Sequence, residues 1–189
     1  MELNMTVVFG ILLAGILSNN YALLHFLGTG AVLENERSSK KSLLLGLGTT
    51  VVMLLSTLIT WPINHYLLAK LPYLQTMVFV IVVLGVVELF HLVATKAFDN
   101  YCKTDFVKFA INGAVLGLCL HNTEHDFLTA IITAVAVGIG FMLTMTLFAK
   151  IKNSCIDEEA APASFRGLPL DLLTAGMIVL ALLALQFKF

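Results

Sequence analysis

Residues 106–120 read FVKFAINGAVLGLCL. The run is apolar enough for a lipid bilayer and too short for it: about 15 residues at 1.5 Å each reach about 22 Å, against about 30 Å of hydrocarbon. An amide and a glycine, Asn112 and Gly113, stand near its middle, and Gly117 follows. Such a segment enters the membrane without crossing it as one straight helix.

Five longer apolar runs surround it: Met5–Leu27, Ser42–Ile63, Leu74–Ala94, Phe127–Phe148 and Leu168–Phe187. Each has the roughly 20 residues that a spanning helix needs. The whole chain agrees with them. Its 189 residues are 59% hydrophobic and 12% charged, and the mean hydropathy is +0.94. Soluble domains are about 45–50% apolar and about 25% charged, so a water-soluble globule is excluded. Intrinsic disorder fails on the same figures. A formal net charge of -1 argues against nucleic acid as a partner. The expected fold is all-α, a polytopic membrane protein forming one transmembrane domain over 1–189, with six membrane segments, the fourth of them short. No Lys or Arg precedes the first run and no small-x-small site follows it, so it reads as a retained span.

Basic residues set the orientation, because Lys- and Arg-rich loops stay on the cytoplasmic side. With the N-terminus outside, Arg37, Lys40, Lys41, Lys96, Lys103, Lys108, Lys150, Lys152 and Arg166 all fall inside, and only Lys70 and Lys188 fall outside. Both termini then face out. The halves 1–94 and 106–189 follow one pattern: an Asn (Asn20, Asn112), a short apolar run, a polar stretch and a long span. Three segments per half is an odd number. The two copies therefore insert in opposite directions, an inverted repeat with interrupted first and fourth helices near the midplane.

Asn19, Asn20 and Asn112 are side-chain amides in apolar runs, where an unpaired amide costs roughly 2–7 kcal/mol. They either cap interrupted helices at a buried site or glue helices together, at about 0.6 kcal/mol on average. Recurrence in both halves favours the site. Gly28, Gly30 and Gly113 lie beside the breaks and suit unwound backbone. Gly46, Gly48, Gly138 and Gly140 read as helix packing. Glu88 and His91 share one face of the third span and are an ion or proton relay, a structural pair facing another helix, or a pair near the cytoplasmic interface. His121, Glu124, His125 and Asp126 read as a solvated outer loop rather than a metal site. Asp171 suits the start of the last helix, and Pro169 its first turn. Cys102, Cys119 and Cys155 are odd in number and lack CxxC spacing, so neither a disulfide framework nor zinc is indicated. No nucleophile–base pattern, P-loop or dinucleotide fingerprint occurs, and no catalytic residue is assigned.

Several stretches taken together resemble the Rnf/Nqr membrane-subunit family, on the side of its A- and E-type members. They are Ser18-Asn19-Asn20-Tyr21 with His25-Phe26-Leu27-Gly28, Ser39-Lys40-Lys41, and Gly48-Thr49-Thr50-Val51-Val52-Met53. Asn112-Gly113-Ala114-Val115-Leu116-Gly117, Pro162-Ala163-Ser164-Phe165-Arg166-Gly167 and Leu173-Thr174-Ala175-Gly176 extend the likeness along nearly the whole chain. The resemblance implies six spans in inverted repeats with the N-terminus outside, in the cytoplasmic (inner) membrane of a bacterium or archaeon. It also implies a pseudo-symmetric partner subunit of the E/D type. In the family, paired subunits each give two cysteines to an intramembrane [2Fe-2S] cluster. The assembled complex moves electrons between ferredoxin, or a quinone, and NAD, coupled to Na⁺ or H⁺ transport.

One departure stands out. The two family cysteine positions fall on Gly30 and Gly113 here. Glycine has no side chain to ligate iron, and clusters of this type are held by thiolates. Cys119 is six residues past Gly113 and rotated away from it on a helix; Cys102 and Cys155 fall in cytoplasmic loops. The expectation is a subunit that keeps the fold and partner contacts but no cluster of its own, with flavins and iron–sulfur clusters in the partner subunits. It would be non-catalytic alone. The alternative is a redox-silent transporter or scaffold subunit that reuses the fold.

Overall fold

The computed structural model describes residues 10–11, 15, 27–28, 30, 39–68, 71–97, 112–154 and 162–186. The first expected span, Met5–Leu27, and residues 106–111 of the short segment therefore lie almost wholly outside the described residues, as do Asn19 and Asn20. Every regular element among the described residues is helical. α1 is Ser39–Tyr66, α2 Gln75–Ala97, α3 Gly113–His121, α4 Phe127–Ser154 and α5 Leu168–Gln186. Short 3₁₀ turns at Pro72–Leu74, Asn122–Glu124 and Ala163–Phe165 join or precede them. Among the described residues, three helices are long and apolar enough to cross a membrane, within Ser42–Tyr66, Gln75–Val93 and Phe127–Ser154. Each overlaps one of the long apolar runs in the sequence.

α1 shows why these helices belong in lipid. Its buried side carries Ser42, Thr49, Ser56, Thr57 and Thr60 beside Leu45, Val52 and Met53, while Leu43, Leu44, Leu47, Val51, Leu55 and Ile59 point outward. That is the reverse of a water-soluble helix, whose apolar stripe faces inward. Within a bilayer apolar burial does not drive association, so interfaces use small and hydroxyl residues that allow close contact. Three of the threonine hydroxyls of α1 are satisfied by their own helix: Thr49 and Thr50 donate to Gly46 O (2.9 and 2.7 Å), and Thr60 donates to Ser56 O (2.7 Å). α4 repeats the device at Thr144 and Thr146, which donate to Gly140 O and Met142 O.

α1 and α4 make the most extensive helix contact. They run antiparallel, because Gly46 meets Met142 whereas Gly138, nearer the start of α4, meets Thr50. A Cβ added at Gly46 would stand 2.8 Å from Met142 Cα, and one at Gly138 would stand 3.0 and 3.1 Å from Thr50 Cβ and Cα. Real Cβ atoms do not approach so closely; the two backbones touch because glycine faces each contact. Residue 15 of the first segment also lies against Ala136 of α4. α2 and α3 flank α1 and touch each other, with Phe79, Val83, Val86 and Val87 of α2 and Ala114, Val115 and Leu118 of α3 in the shared core.

α5 is tied to α4 by an ion pair. Lys152 Nζ lies 2.6 Å from Asp171 Oδ2, with side-chain exposures of 14% and 8%. Asp171 occupies the first turn of α5, as its sequence position suggests. Gly167, at φ +76°, makes the preceding bend, and its carbonyl accepts from the amides of Leu170 and Asp171.

Candidate functional site

Asn112 has extended backbone angles (φ -129°, ψ 157°), and its side chain accepts a hydrogen bond from Val115 N at 3.1 Å. This is an N-cap: the amide oxygen satisfies one of the four donors that the first turn of a helix leaves unpaired. α3, which it starts, has nine residues and so a length of about 13.5 Å, less than half of the hydrocarbon thickness.

Leu27 and Gly28 form a turn that packs against this cap. Gly28 has φ +78°, a left-handed conformation costing other residues roughly 1–2 kcal/mol. A Cβ there would also stand 3.2 Å from Ala114 Cβ and from Phe141 Cε2, and 3.3 Å from Asn112 Cγ. From the other side, a Cβ on Gly113 would lie 3.4 Å from Leu27 Cδ2 and 3.7 Å from Gly28 N. Two glycines far apart in sequence thus lie in one place, over Phe141 of α4. Beside them, Val80, Val83 and Leu84 of α2 and Asn112, Gly113 and Leu116 line an open, mainly apolar groove of about 220 Å³.

The structure therefore brings together Gly28, Asn112 and Gly113. Gly30 lies two residues past the turn, exposed, with no atom within 4 Å of a Cβ built there. Asn19 and Asn20 lie outside the described residues. Glu88 is exposed and His91 half-buried in the second half of α2, one and two helical turns past the groove-lining Leu84.

An iron–sulfur cluster does not fit this donor set. Gly30 and Gly113 have space for a side chain but no sulfur. Cys119 is buried on α3 at 1% exposure and hydrogen-bonds to Thr57 and Thr60 of α1, so its thiol is turned into the bundle. Cys102 and Cys155 lie outside the described residues. Among the described residues no three His, Cys, Asp or Glu side chains form a metal-binding group.

Sequence reasoning passed over two residues that organise the other end of the bundle. Asn122 follows α3 and is 2% exposed; its Nδ2 donates to Ala130 O (3.2 Å) and Thr57 Oγ1 (3.4 Å), joining α1, α3 and α4. Trp61 Nε1 donates to His125 O at 2.9 Å, and the indole stacks on His65 with centroids 5.1 Å apart. Asn122 stands in a polar stretch and Trp61 at the end of a span, so nothing in the local sequence marks either as a contact. Phe141, under the Gly28 turn, lies within an apolar run and is equally unmarked.

Comparison with known proteins bears on this arrangement. Residues 8–188 match the family described as Rnf-Nqr subunit, membrane protein. The chain is 32% identical over 186 residues to the A subunit of the Na(+)-translocating ferredoxin:NAD(+) oxidoreductase complex of Acetobacterium woodii, covering 95% of this chain and 96% of that one. It is 34% identical over 173 residues to the A subunit of the ion-translocating oxidoreductase complex of Sodalis glossinidius (88% and 89% covered). To the protein of the same name from Photorhabdus laumondii it is 33% identical over 184 residues (94% and 95% covered).

Proposed function

The chain belongs to the Rnf-Nqr family of membrane subunits, and from that premise we propose that it is an integral, A-type subunit of an ion-translocating electron-transport complex, without a cluster of its own. The complex would exchange electrons between ferredoxin, or a quinone, and NAD, and move Na⁺ or H⁺. Its flavins and iron–sulfur clusters would sit in neighbouring subunits. The pseudo-symmetric E/D-type membrane subunit is the principal partner, and the cytoplasmic (inner) membrane the location.

A constant offset supports the inverted repeat in this reading. Asn20, Gly46 and Gly48 correspond to Asn112, Gly138 and Gly140, each 92 residues later. The same offset carries Gly46 onto Gly138 and Thr50 onto Met142. The contact of Gly46 with Met142 and that of Gly138 with Thr50 are then one contact seen from the two halves. Antiparallel α1 and α4 are what oppositely inserted copies require. The half-length α3 behind its Asn112 cap supports an interrupted fourth segment.

The observation that carries the absence of a cluster is the pair Gly30 and Gly113. Losing both thiolates removes the ligands outright. The partner subunit is then expected to lack cysteine at its paired positions, because two thiolates would hold a cluster poorly. The same pair of glycines favours one second reading, a redox-silent transporter or scaffold subunit on the same fold. Purification through a tag on this chain separates them. Flavin- and iron–sulfur-bearing subunits should co-purify, with no stoichiometric intramembrane two-iron signal in low-temperature spin resonance. Isolation of the chain alone, or with a transport ATPase, would select the scaffold or transporter. Glu88 and His91 remain the relay pair of the first reading, and unchanged ion transport in vesicles carrying Glu88→Gln would retire them.

A further inference from the structure

His121 closes α3, and His125 follows the 3₁₀ turn Asn122–Glu124. Their Nε2 atoms are 3.4 Å apart, and the ring centroids are 5.0 Å apart at 77°. A tetrahedral Zn²⁺ with Zn–N bonds of about 2.0–2.1 Å sets its two nitrogen ligands about 3.3 Å apart. The separation of the two nitrogens, spanned here by a hydrogen bond between the rings, is therefore that of two ligands on one ion. The backbone is fixed on both sides of the pair. Asn122 is buried and bonded to α1 and α4, Thr123 Oγ1 donates to Leu120 O at 2.7 Å, and Trp61 holds the His125 carbonyl. A chelate whose two arms are held in place loses little freedom when the ion arrives. His121 is exposed, His125 partly so, and Glu124 and Asp126 beside them are exposed acids that raise the local cation concentration.

We propose that His121 and His125 form a two-imidazole binding site for a borderline divalent transition-metal ion, with Zn²⁺ as the reference ion, at the α3–α4 end of the bundle. Imidazole nitrogen selects Zn²⁺, Ni²⁺ and Cu²⁺ over Mg²⁺ and Ca²⁺, which take oxygen ligands. No third His, Cys, Asp or Glu joins the pair among the described residues. With water completing its coordination, such a site exchanges its ion, in contrast to structural zinc sites, which are closed by four protein ligands. Protons compete for the same lone pairs, so affinity falls on acidification. In the proposed orientation this end faces outside, where the site would respond to the metal content of the medium.

The test uses the full chain, purified through a tag without histidine, stripped with a chelator and placed in lipid nanodiscs. Calorimetric titration with Zn²⁺ should show one saturable site per chain, and Mg²⁺ none. His121→Asn and His125→Asn should each weaken it by more than about tenfold, given that even losing an outer partner of a metal ligand costs 10–100-fold. His65→Ala should leave it unchanged. Zn²⁺ should also raise the melting temperature of the wild-type chain and not of the two variants. Absence of a saturable site in the wild type, or binding that survives both substitutions, would overturn the proposal. Should a variant fail to fold, carbethoxylation of the wild-type chain gives the reading: Zn²⁺ should protect His121 and His125 and spare His65, and equal modification with and without Zn²⁺ would refute the site.

Discussion

At the scale of single residues, three glycines in and beside the site stand in unequal circumstances. Gly28 is held by its own backbone, with φ +78° and three side chains within 3.3 Å of any Cβ. Gly28→Ala should lower stability by about 1–3 kcal/mol, from left-handed strain and crowding together; a thermal melt in detergent reads it. Gly30 and Gly113 are under no such constraint, because added side chains meet open space or ordinary contact distances. Gly30→Cys and Gly113→Cys, singly or together, should fold with a melting temperature close to wild type. Loss of folding in those variants would mean that glycine stands there for steric reasons, and the argument from missing thiolates would need revision. Asn112→Ala should cost about 1 kcal/mol and Asn112→Ser much less, as for other N-caps. Asn112 was legible in the sequence because an amide in an apolar run is too costly to be idle. Gly30 was read as suiting unwound backbone beside a break, whereas its backbone is helical and the residue exposed, and it was its place in a family pattern that marked it as a missing ligand. Phe141, Trp61 and Asn122 were hidden for the opposite reason: their residue types suit their local surroundings, and their importance lies in partners on other helices.

At the scale of elements, the long helices were legible because the bilayer fixes their length: Ser39–Tyr66, Gln75–Ala97 and Phe127–Ser154 extend the expected spans by only a few residues at most ends. How they meet was less so. Gly46, Gly48, Gly138 and Gly140 were read as packing residues, but which glycine faces which helix depends on rotation about the helix axis, and the hydropathy pattern sets that weakly. Gly138→Ala on α4 should be damaging, because its methyl would run into Thr50 of a neighbouring backbone that cannot yield; overpacking of this kind costs about 1–3 kcal/mol. Gly176→Ala on α5, where a Cβ meets nothing within 4 Å, is the control and should be neutral. The α4–α5 tie was invisible in sequence, since Lys152 and Asp171 are separated by a loop and either suits a membrane edge alone. Asp171→Asn should destabilise by about 1.5–3 kcal/mol, the range for a hydrogen bond to a charged group. The flexible stem of Lys152 lets its charge reach water, which keeps the loss below that of a deeply buried pair.

At the scale of the whole molecule, opposed insertion is the proposal drawn from the distribution of Lys and Arg and the two-half pattern, and the antiparallel crossing of α1 and α4 gives it a physical handle. Two long helices lying side by side in opposite directions must present their ends to opposite faces of the membrane. Tyr66, at the end of α1, and Asp126, just before α4, should lie outside; Ser154, at the end of α4, should lie inside. All three positions are exposed. In a chain with Cys102, Cys119 and Cys155 replaced, single cysteines at 66 and 126 should react with a membrane-impermeant maleimide in intact cells. A cysteine at 154 should react only after the membrane is opened. Positions 66 and 126 sort together because α1 ends where α4 begins, a consequence of packing alone; position 154 sorts against them because α4 crosses the bilayer. Labelling of 154 from outside together with 66 would mean that α4 does not span, and the inverted repeat would fall with it. Labelling of all three in reversed sense would keep the helix arrangement and discard only the orientation read from the basic loops. The two failures are distinguishable because the crossing is set by glycine contacts within the protein, whereas the orientation is set by charge at the membrane surface.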